Sequence, residues 1–583
     1  MVEGKNSRLA AQQPQVSAAR GTSYLILIQV VSRVLTFASN QLVLRRLSPE
    51  VFGVATQLEL YYITVLFFSR ECLRAAIQRE PLARSSADVS EKKNPSSKDD
   101  KQASEQEREH AQDVSRSSQT VVNMSYLAIA LGILLSGFLG ICYHLWATTE
   151  TASVPFFYQS VQLVGFSCII ELGTEPFFAV VLQRMLYKER AAVEMTAAFA
   201  RSLATCGFTI WASWKGWYTG VLPFGLGYLA FACALLSGYS WQMLMRDKTR
   251  AFSFWLTPIQ SRYEDIFIVG ILYTKYKNRS GSQYLFDRFS RRLVWLGANM
   301  YLQSIVKHFL TQGDSMILAA FSTLEDQGIY ALASNYGGLV ARMVFQPIEE
   351  SCRNIWTGQL NTTDKDSRSH KTYVEAAKSQ LVNVMRTYSI FAILALSIGP
   401  STIPIFLRFL IGSRWMSPKV QELLSTYCCY IPFLAFNGIT EAFVSASASP
   451  SDMRRHAVWL SVFSACFCLV SFLLLNVVDS GAVGLVWANV INMSIRTIWS
   501  FFYIRKYLRQ NNSDLQVSEF SPKLQTFGVL VLAASRRAVE PSPSYDDLFY
   551  NIFVLGFAAV CGIMTLFSER AFILAQYKSY FRA

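Results

Sequence analysis

Long apolar stretches recur along this chain with polar breaks between them, and a chain built this way has few folds open to it. In hydrocarbon every backbone N–H and C=O must be paired within its own segment, so stretches of about 20 apolar residues that cross a roughly 30 Å core become α-helices. Such stretches lie near 21–44, 51–78, 121–147, 154–182, 190–214 and 218–244, then near 293–320, 328–356, 379–405, 423–447, 454–476 and 482–504, and finally near 524–539 and 547–567. The expected fold class is an all-α polytopic membrane protein with about fourteen transmembrane helices. The thirteenth stretch is the weakest, since only Phe527 to Ala534 is convincingly apolar before Arg536 and Arg537; a short tilted span and an interfacial helix are both open for it. No cleavable signal peptide is expected, because the residues up to Arg20 are polar and the first stretch is too long for a signal core.

Composition agrees. Hydrophobic residues make up 52% of the chain and charged residues 16%, with a mean hydropathy of +0.25, which is too apolar for a soluble protein with one or two cores. The formal net charge of +14 does not mark a nucleic-acid partner, because the Lys and Arg lie in loops between apolar stretches and form no basic domain or stripe. The cysteines fall almost entirely inside apolar stretches (Cys142, Cys168, Cys233, Cys428, Cys429, Cys466, Cys468) and read as small buried hydrophobes, with neither zinc-ligand spacing nor a disulfide framework.

Loop charge sets the orientation. Lys and Arg concentrate in alternate loops, among them Arg184, Lys188 and Arg190; Arg246, Lys248 and Arg250; Arg454 and Arg455; and Arg505, Lys506 and Arg509. The opposite loops, such as Thr148 to Ser153 and Ser322 to Gln327, carry almost none, so the positive-inside rule puts the N-terminal tail (1–20) in the cytosol. With fourteen spans the C-terminus is cytosolic too; if the thirteenth does not cross, it moves outside. Residues 80–119 are rich in Ser, Glu, Lys and Gln and are expected to form a disordered cytosolic loop. Residues 245–290 mix basic residues with Trp255, Tyr263, Phe267, Tyr273 and Tyr284 and read as a connector partly ordered against the membrane surface. The sequons at Asn278, Asn361 and Asn511 fall in cytosolic loops and are expected to be unused by luminal glycosylation machinery.

Four spans, the first, second, seventh and eighth, carry ionisable residues near the middle of the bilayer: Arg33; Glu59, Arg70, Glu71 and Arg74; Lys307, His308 and Asp314; Arg342, Glu349, Glu350 and Arg353. A charge there costs at least roughly 2.5–3.5 kcal/mol, so such residues face a polar cavity or a partner. A mainly cationic intramembrane cavity follows, with Arg33, Arg70, Arg74, Lys307, His308, Arg342 and Arg353 as candidate ligands and Glu59, Glu71, Asp314, Glu349 and Glu350 as supporting carboxylates. The competing reading for Arg33, Lys307 and Arg342 is a structural ion pair with Glu59, Glu349 or Glu350. For Arg70, Arg74 and Arg353 it is snorkelling to the cytosolic surface. His308, beside a lysine, also reads as a hydrogen-bonded packing residue, and Glu171, Glu175 and Glu441 read as internally paired or hydrated at helix ends, with a proton or cation site also open for them.

An internal repeat organises these charges. The second span opens with Ser48-Pro49-Glu50-Val51-Phe52-Gly53-Val54 and the eighth with Thr323-Leu324-Glu325-Asp326-Gln327-Gly328-Ile329, while Arg70-Glu71-Cys72-Leu73-Arg74 matches Glu349-Glu350-Ser351-Cys352-Arg353 after a small shift. An even number of spans separates the copies, so the expected layout is two parallel six-helix lobes (21–244 and 291–506) around a central cavity, joined by the 245–290 connector and followed by two C-terminal helices in 507–583.

The runs Ser69-Arg70-Glu71-Cys72-Leu73-Arg74-Ala75-Ala76, Lys307-His308-Phe309-Leu310-Thr311-Gln312-Gly313-Asp314 and Asn335-Tyr336-Gly337-Gly338-Leu339-Val340-Ala341-Arg342-Met343-Val344-Phe345-Gln346-Pro347-Ile348-Glu349-Glu350 resemble the Rft1-type endoplasmic-reticulum oligosaccharide translocation proteins. That resemblance covers nearly the whole chain. It implies membership of the multidrug/oligosaccharidyl-lipid/polysaccharide exporter superfamily, a multi-pass endoplasmic-reticulum membrane location, and a role in moving dolichyl-diphosphate Man5GlcNAc2 from the cytosolic to the luminal leaflet for N-glycosylation. The long loop after span 2 and the weak thirteenth span depart from the family pattern; in the bacterial relatives spans 13 and 14 help form a groove for the lipid tail.

The chemistry of such a substrate fits the residues. A diphosphate head and a hydroxyl-rich glycan cannot cross hydrocarbon unaided, and guanidinium groups bind phosphate oxygens in forks. The partners implied are the dolichyl-diphosphate oligosaccharide, membrane lipid and, as further candidates, other N-glycosylation pathway proteins; no nucleic acid, cofactor or metal is expected. GxGxxG, Walker A, HExxH and GxSxG patterns are absent, so neither nucleotide-driven transport nor hydrolysis has support. Two alternatives stay open: a non-transporting glycolipid-binding accessory, and a small-molecule antiporter of the same superfamily, for which an acidic cavity would be expected.

Overall fold

The structure, a computed structural model, describes residues 38–78, 100–184, 186–246, 252–259, 284–360, 368–539 and 548–582. Arg33, most of the first expected span, residues 80–99 of the expected disordered loop, and the sequons at Asn278 and Asn361 lie outside the described residues.

The principal helices are α1 (Pro49–Ile77), α2 (Asp100–Trp146), α3 (Phe157–Leu172), α4 (Glu175–Gln183), α5 (Tyr187–Trp214) and α6 (Leu222–Arg246). A small hairpin of β1 (Tyr284–Leu285) and β2 (Phe289–Ser290) leads into α7 (Arg291–Phe321) and α8 (Leu324–Val340). A π-helical turn at Ala341–Phe345 carries α8 into α9 (Gln346–Leu360), next to Pro347, which has no N–H to donate to a regular ladder. Then come α10 (Arg368–Leu410), α11 (Pro418–Ser447), α12 (Pro450–Phe472), α13 (Gly481–Gln510), α14 (Leu524–Val539), α15 (Leu548–Ser568) and α16 (Arg570–Arg582). Among the described residues seven helices are long and apolar enough to cross a membrane, and α3 with α4, bent by 43°, makes an eighth. The protein is an all-α polytopic membrane protein. The long helices α5, α7 and α13 and the α8–α9 run carry most of the ionisable side chains considered below.

The chain forms two compact units, Met1–Arg46 with Gln57–Thr311 and Leu47–Thr56 with Gln312–Ala583, so the division runs through α1 and α7. In the first unit Val122 of α2, Phe178 and Val181 of α4, Val193 of α5 and Tyr239 of α6 form one core cluster, and Cys72, Leu73, Met124, Ala179 and Leu293 form another. In the second, Trp356 of α9, Leu381 of α10, Phe443 of α11 and Ile504 of α13 pack together, and Ile393, Val529 and Cys561 join α10 to α14 and α15. Helix α1 is 61% buried over its most apolar window, whereas α2 and α15 are 22% and 17% buried. Outward side chains such as Leu134, Phe138, Phe549 and Phe567 therefore leave an apolar exterior suited to lipid.

Residues 100–119 correct the sequence expectation of disorder: they are helical and continuous with the span that follows. Gln, Glu, Ala, Arg and Lys, all good helix formers, make up twelve of these twenty residues. Elongating a helix already nucleated by a packed span adds a bond per residue without a new nucleus.

Candidate functional site

In the first unit, α1 presents Arg70 and Arg74 to the broken α3–α4 span. Gly173 and Thr174 interrupt that span and Pro176 lies in the first turn of α4, so Glu171 and Glu175 flank the break. Arg70 Nη1 donates to Glu171 Oε1 at 2.7 Å and to Glu175 Oε1 at 3.5 Å. Arg74 Nε donates to Glu175 Oε2 at 3.0 Å and its Nη2 to Oε1, while the guanidinium lies 3.8 Å from the centre of the Phe178 ring. Tyr62 donates its hydroxyl to Glu171. Glu175 also sits in the first turn of α4, where unpaired N–H groups favour negative charge. Both glutamate side chains are 2–3% exposed and both arginines 21–22%. The two arginine charges are thus matched by two buried carboxylates, and only their outer edges are open.

Lys307 is different. It lies near the midpoint of α7, its Nζ donates to Glu71 Oε1 at 2.7 Å, and its side chain is 59% exposed against 40% for Glu71. Next to it His308 is buried, with Nε2 3.1 Å from Thr64 Oγ1 and its ring 4.8–4.9 Å from those of Phe67 and Phe68. Its Nδ1, also buried, has no hydrogen-bond partner among the described residues. Glu59 is exposed on α1.

In the second unit Asp314 accepts the Tyr330 hydroxyl at 2.6 Å and Asn489 Nδ2 at 2.9 Å, and among the described residues its hydrogen-bond partners include no cation. Glu349 packs so closely on Gly438 of α11 that a Cβ there would overlap its carboxylate. Glu350 and Arg353 are exposed. Arg342 lies in the π-helical turn, and its side chain is outside the described residues. Among the described residues none of the expected pairings of Lys307 with Glu59, Glu349 or Glu350 occurs; its carboxylate is Glu71.

Two further arginines, within the expected spans 190–214 and 482–504, stand outside the four spans that the sequence singled out. Arg201 of α5 lies 4.1 Å over the Tyr228 ring, which is 4.3 Å from that of Tyr62. Arg496 of α13 binds Glu441 of α11 at 2.6 and 3.0 Å. Both satisfy the criterion that marked Lys307, an ionisable residue well inside an expected span. Glu171, Glu175 and Glu441 are internally paired, as their positions suggested.

These helices and their internal charge pairs define a multi-pass membrane protein whose fold is also that of a solved transporter. The lipid II flippase MurJ in its inward closed conformation aligns with a TM-score of 0.55 over 94% of this chain and 99% of that one, at 12% identity, a likeness of fold alone. The chain belongs to the Rft protein family, whose model matches residues 17–579. Among its relatives, the Man(5)GlcNAc(2)-PP-dolichol translocation protein RFT1 of Yarrowia lipolytica is 34% identical over 92% of this chain and 77% of its own length. The protein of the same name from Saccharomyces cerevisiae is 31% identical over 91% and 90%.

Proposed function

We propose that this chain moves Man5GlcNAc2-PP-dolichol from the cytosolic to the luminal leaflet of the endoplasmic-reticulum membrane, supplying protein N-glycosylation, and that it is a transporter and not an enzyme. The relatives' name supports the substrate. The proposed layout has fourteen spans and cytosolic termini, with lobes at 21–244 and 291–506 around a central cavity, the 245–290 connector, and two helices in 507–583; the sequence repeat and the loop charges support it.

The observation that carries the reading is Lys307: a cation halfway along α7, exposed, and held by a carboxylate that is itself exposed. In a water-filled cavity such a pair contributes on the order of 0.5 kcal/mol, so a diphosphate oxygen can replace Glu71 there at little cost. Arg70 and Arg74 cannot leave their partners so freely, because that would strand two buried carboxylates. They, with His308, shape the site more than they ligate. The proposed ligands are Lys307 and Arg353, joined by Arg33 and Arg342, with Glu71, Glu349, Glu350, Glu59 and Asp314 as counter-charges.

The test is Lys307→Gln in cells that depend on this chain. Normal protein abundance with underglycosylated proteins and accumulated lipid-linked intermediate is expected. Normal glycosylation in that variant would overturn the assignment of Lys307.

A further inference from the structure

Between α6 and α7 the chain forms a small tertiary structure of its own against the middle of α2. Gln119 and Asn123, one turn apart and buried, hold the extended segment 252–259 by its main chain. Gln119 Oε1 accepts the Ser253 N–H at 2.9 Å and Nε2 donates to Trp255 O at 3.1 Å. Asn123 Oδ1 accepts from Thr257 N at 3.3 Å, while Nδ2 donates to Thr257 O at 2.7 Å and Arg288 O at 2.9 Å. Tyr126 Oη donates to Phe254 O at 3.0 Å, and Ile259 N donates to Asp287 O at 2.8 Å. The β1–β2 hairpin is thereby fixed to both the segment and α2.

Its turn is the unusual part. Phe286 and Asp287 both have positive φ, +54° and +55°, a conformation that suits Gly or Asn and is disfavoured for a bulky ring. Phe286 is nevertheless 87% exposed, so no packing among the described residues repays that strain. Leu285, its neighbour in sequence, is exposed too, as are Trp255 of the 252–259 segment and Trp295 near the start of α7. Arg288, Arg291 and Arg292 are exposed and enter no ion pair among the described residues. The hairpin runs straight into α7, whose apolar stretch begins near residue 293. An exposed aromatic tip followed by Arg288, Arg291 and Arg292 where the chain enters α7 has the chemistry of the membrane interface, where aromatic side chains sit at headgroup level and basic ones attract anionic lipid.

We propose that the hairpin tip, with Trp255 and Trp295, seats in the headgroup layer and that Arg288, Arg291 and Arg292 bind the phosphates of anionic phospholipids there. This rests on α7 being a span and is independent of which glycolipid is carried. The full-length protein, placed in nanodiscs of phosphatidylcholine and phosphatidylinositol, is extracted and its retained lipid counted by native mass spectrometry. Phosphatidylinositol is expected to be enriched over its share of the disc, and the Arg288→Gln/Arg291→Gln/Arg292→Gln variant to lose that enrichment on the order of ten-fold. In parallel, the emission lost in Trp295→Phe relative to the parent protein is expected to be quenched by shallowly brominated phosphatidylcholine, and Phe286→Ser is expected to weaken that quenching. These surface changes leave the buried Gln119–Asn123 contacts intact, so a folded variant is available for each arm. Equal lipid retention in parent and triple variant, or Trp295 emission indifferent to brominated lipid, would overturn the proposal, as would loss of a co-purifying protein in the triple variant with lipid retention unchanged.

Discussion

Gly53 of α1 and Gly328 of α8 meet in a reciprocal backbone contact: a Cβ on Gly53 would overlap the carbonyl of Leu324, and a Cβ on Gly328 would overlap that of Pro49. Each glycine thus meets the residue that stands four places before the other. The helix starts match as well, with Ser48 Oγ accepting Val51 N at 3.5 Å and Thr323 Oγ1 accepting Asp326 N at 3.2 Å. Two copies of one sequence motif therefore form a locally two-fold contact inside the second unit.

Gly328→Val forces the two backbones apart. Overpacking of this kind costs about 1–3 kcal/mol, so the purified variant is expected to melt several degrees below the parent in detergent, and Gly53→Val to do the same. An unchanged melting temperature for either would show that the contact is not maintained in the isolated protein.

Glu171 holds Arg70 and Tyr62 from a buried position. Removing one partner of such a pair costs about 3–5 kcal/mol because the other is left uncompensated, so Glu171→Ala is expected to lower abundance and thermal stability sharply. Glu71→Gln, acting on an exposed pair, is expected to change stability by about 0.5 kcal/mol while altering transport. Comparing the two variants by thermal unfolding separates framework from site; similar stability losses would refute that division.

Glu569, just past the end of α15, ties three elements together. Its Oε1 accepts Lys523 N at 2.7 Å and Thr526 Oγ1 at 3.0 Å, and its Oε2 accepts Arg386 Nη2 at 2.8 Å. Burial alone would raise its pKa, but the Lys523 N–H, Arg386 and Thr526 outweigh burial and hold it below the usual glutamate range. A carboxyl depressed in the folded state contributes stability that is complete above its unfolded value of about 4.3 and is lost as pH falls through the folded value. Glu569→Gln is expected to be less stable than the parent by about 2 kcal/mol near neutral pH and to show a flatter loss below about pH 4. Parallel acid profiles for the two proteins would contradict this.

The helical architecture was legible because hydrocarbon leaves a backbone no other way to satisfy its polar groups, and the mid-helix cations stood out against apolar surroundings. Partners were not legible. Arg70 meets Glu171 across 101 residues of sequence, and nothing local tells a carboxylate at a helix break from one facing a ligand. Helix α3–α4 reads as one apolar stretch, although Gly173 and Pro176 hold the material for its bend. Residues 100–119 look like a solvated loop by composition, because their order comes from the span that they extend. Gln119 and Asn123 look like ordinary polar residues at a span's end, and only the fold shows that they bind main chain more than a hundred residues away. Arg201 and Arg496 were readable as cations, whereas Tyr228 and Glu441 as their partners were not.

The central claim is that the chain itself moves the glycolipid, with Lys307 among the groups that meet its diphosphate. Purified protein reconstituted into vesicles containing Man5GlcNAc2-PP-dolichol, with the glycan in each leaflet resolved by lectin accessibility, measures that movement directly. Protein-containing vesicles are expected to exchange the glycolipid between leaflets at a rate that scales with protein per vesicle, and Lys307→Gln to slow it by at least about ten-fold, the equivalent of one lost charge-assisted hydrogen bond. Exchange no faster than in protein-free vesicles, from protein shown to be folded and inserted, would contradict the claim and leave the chain a glycolipid-binding accessory.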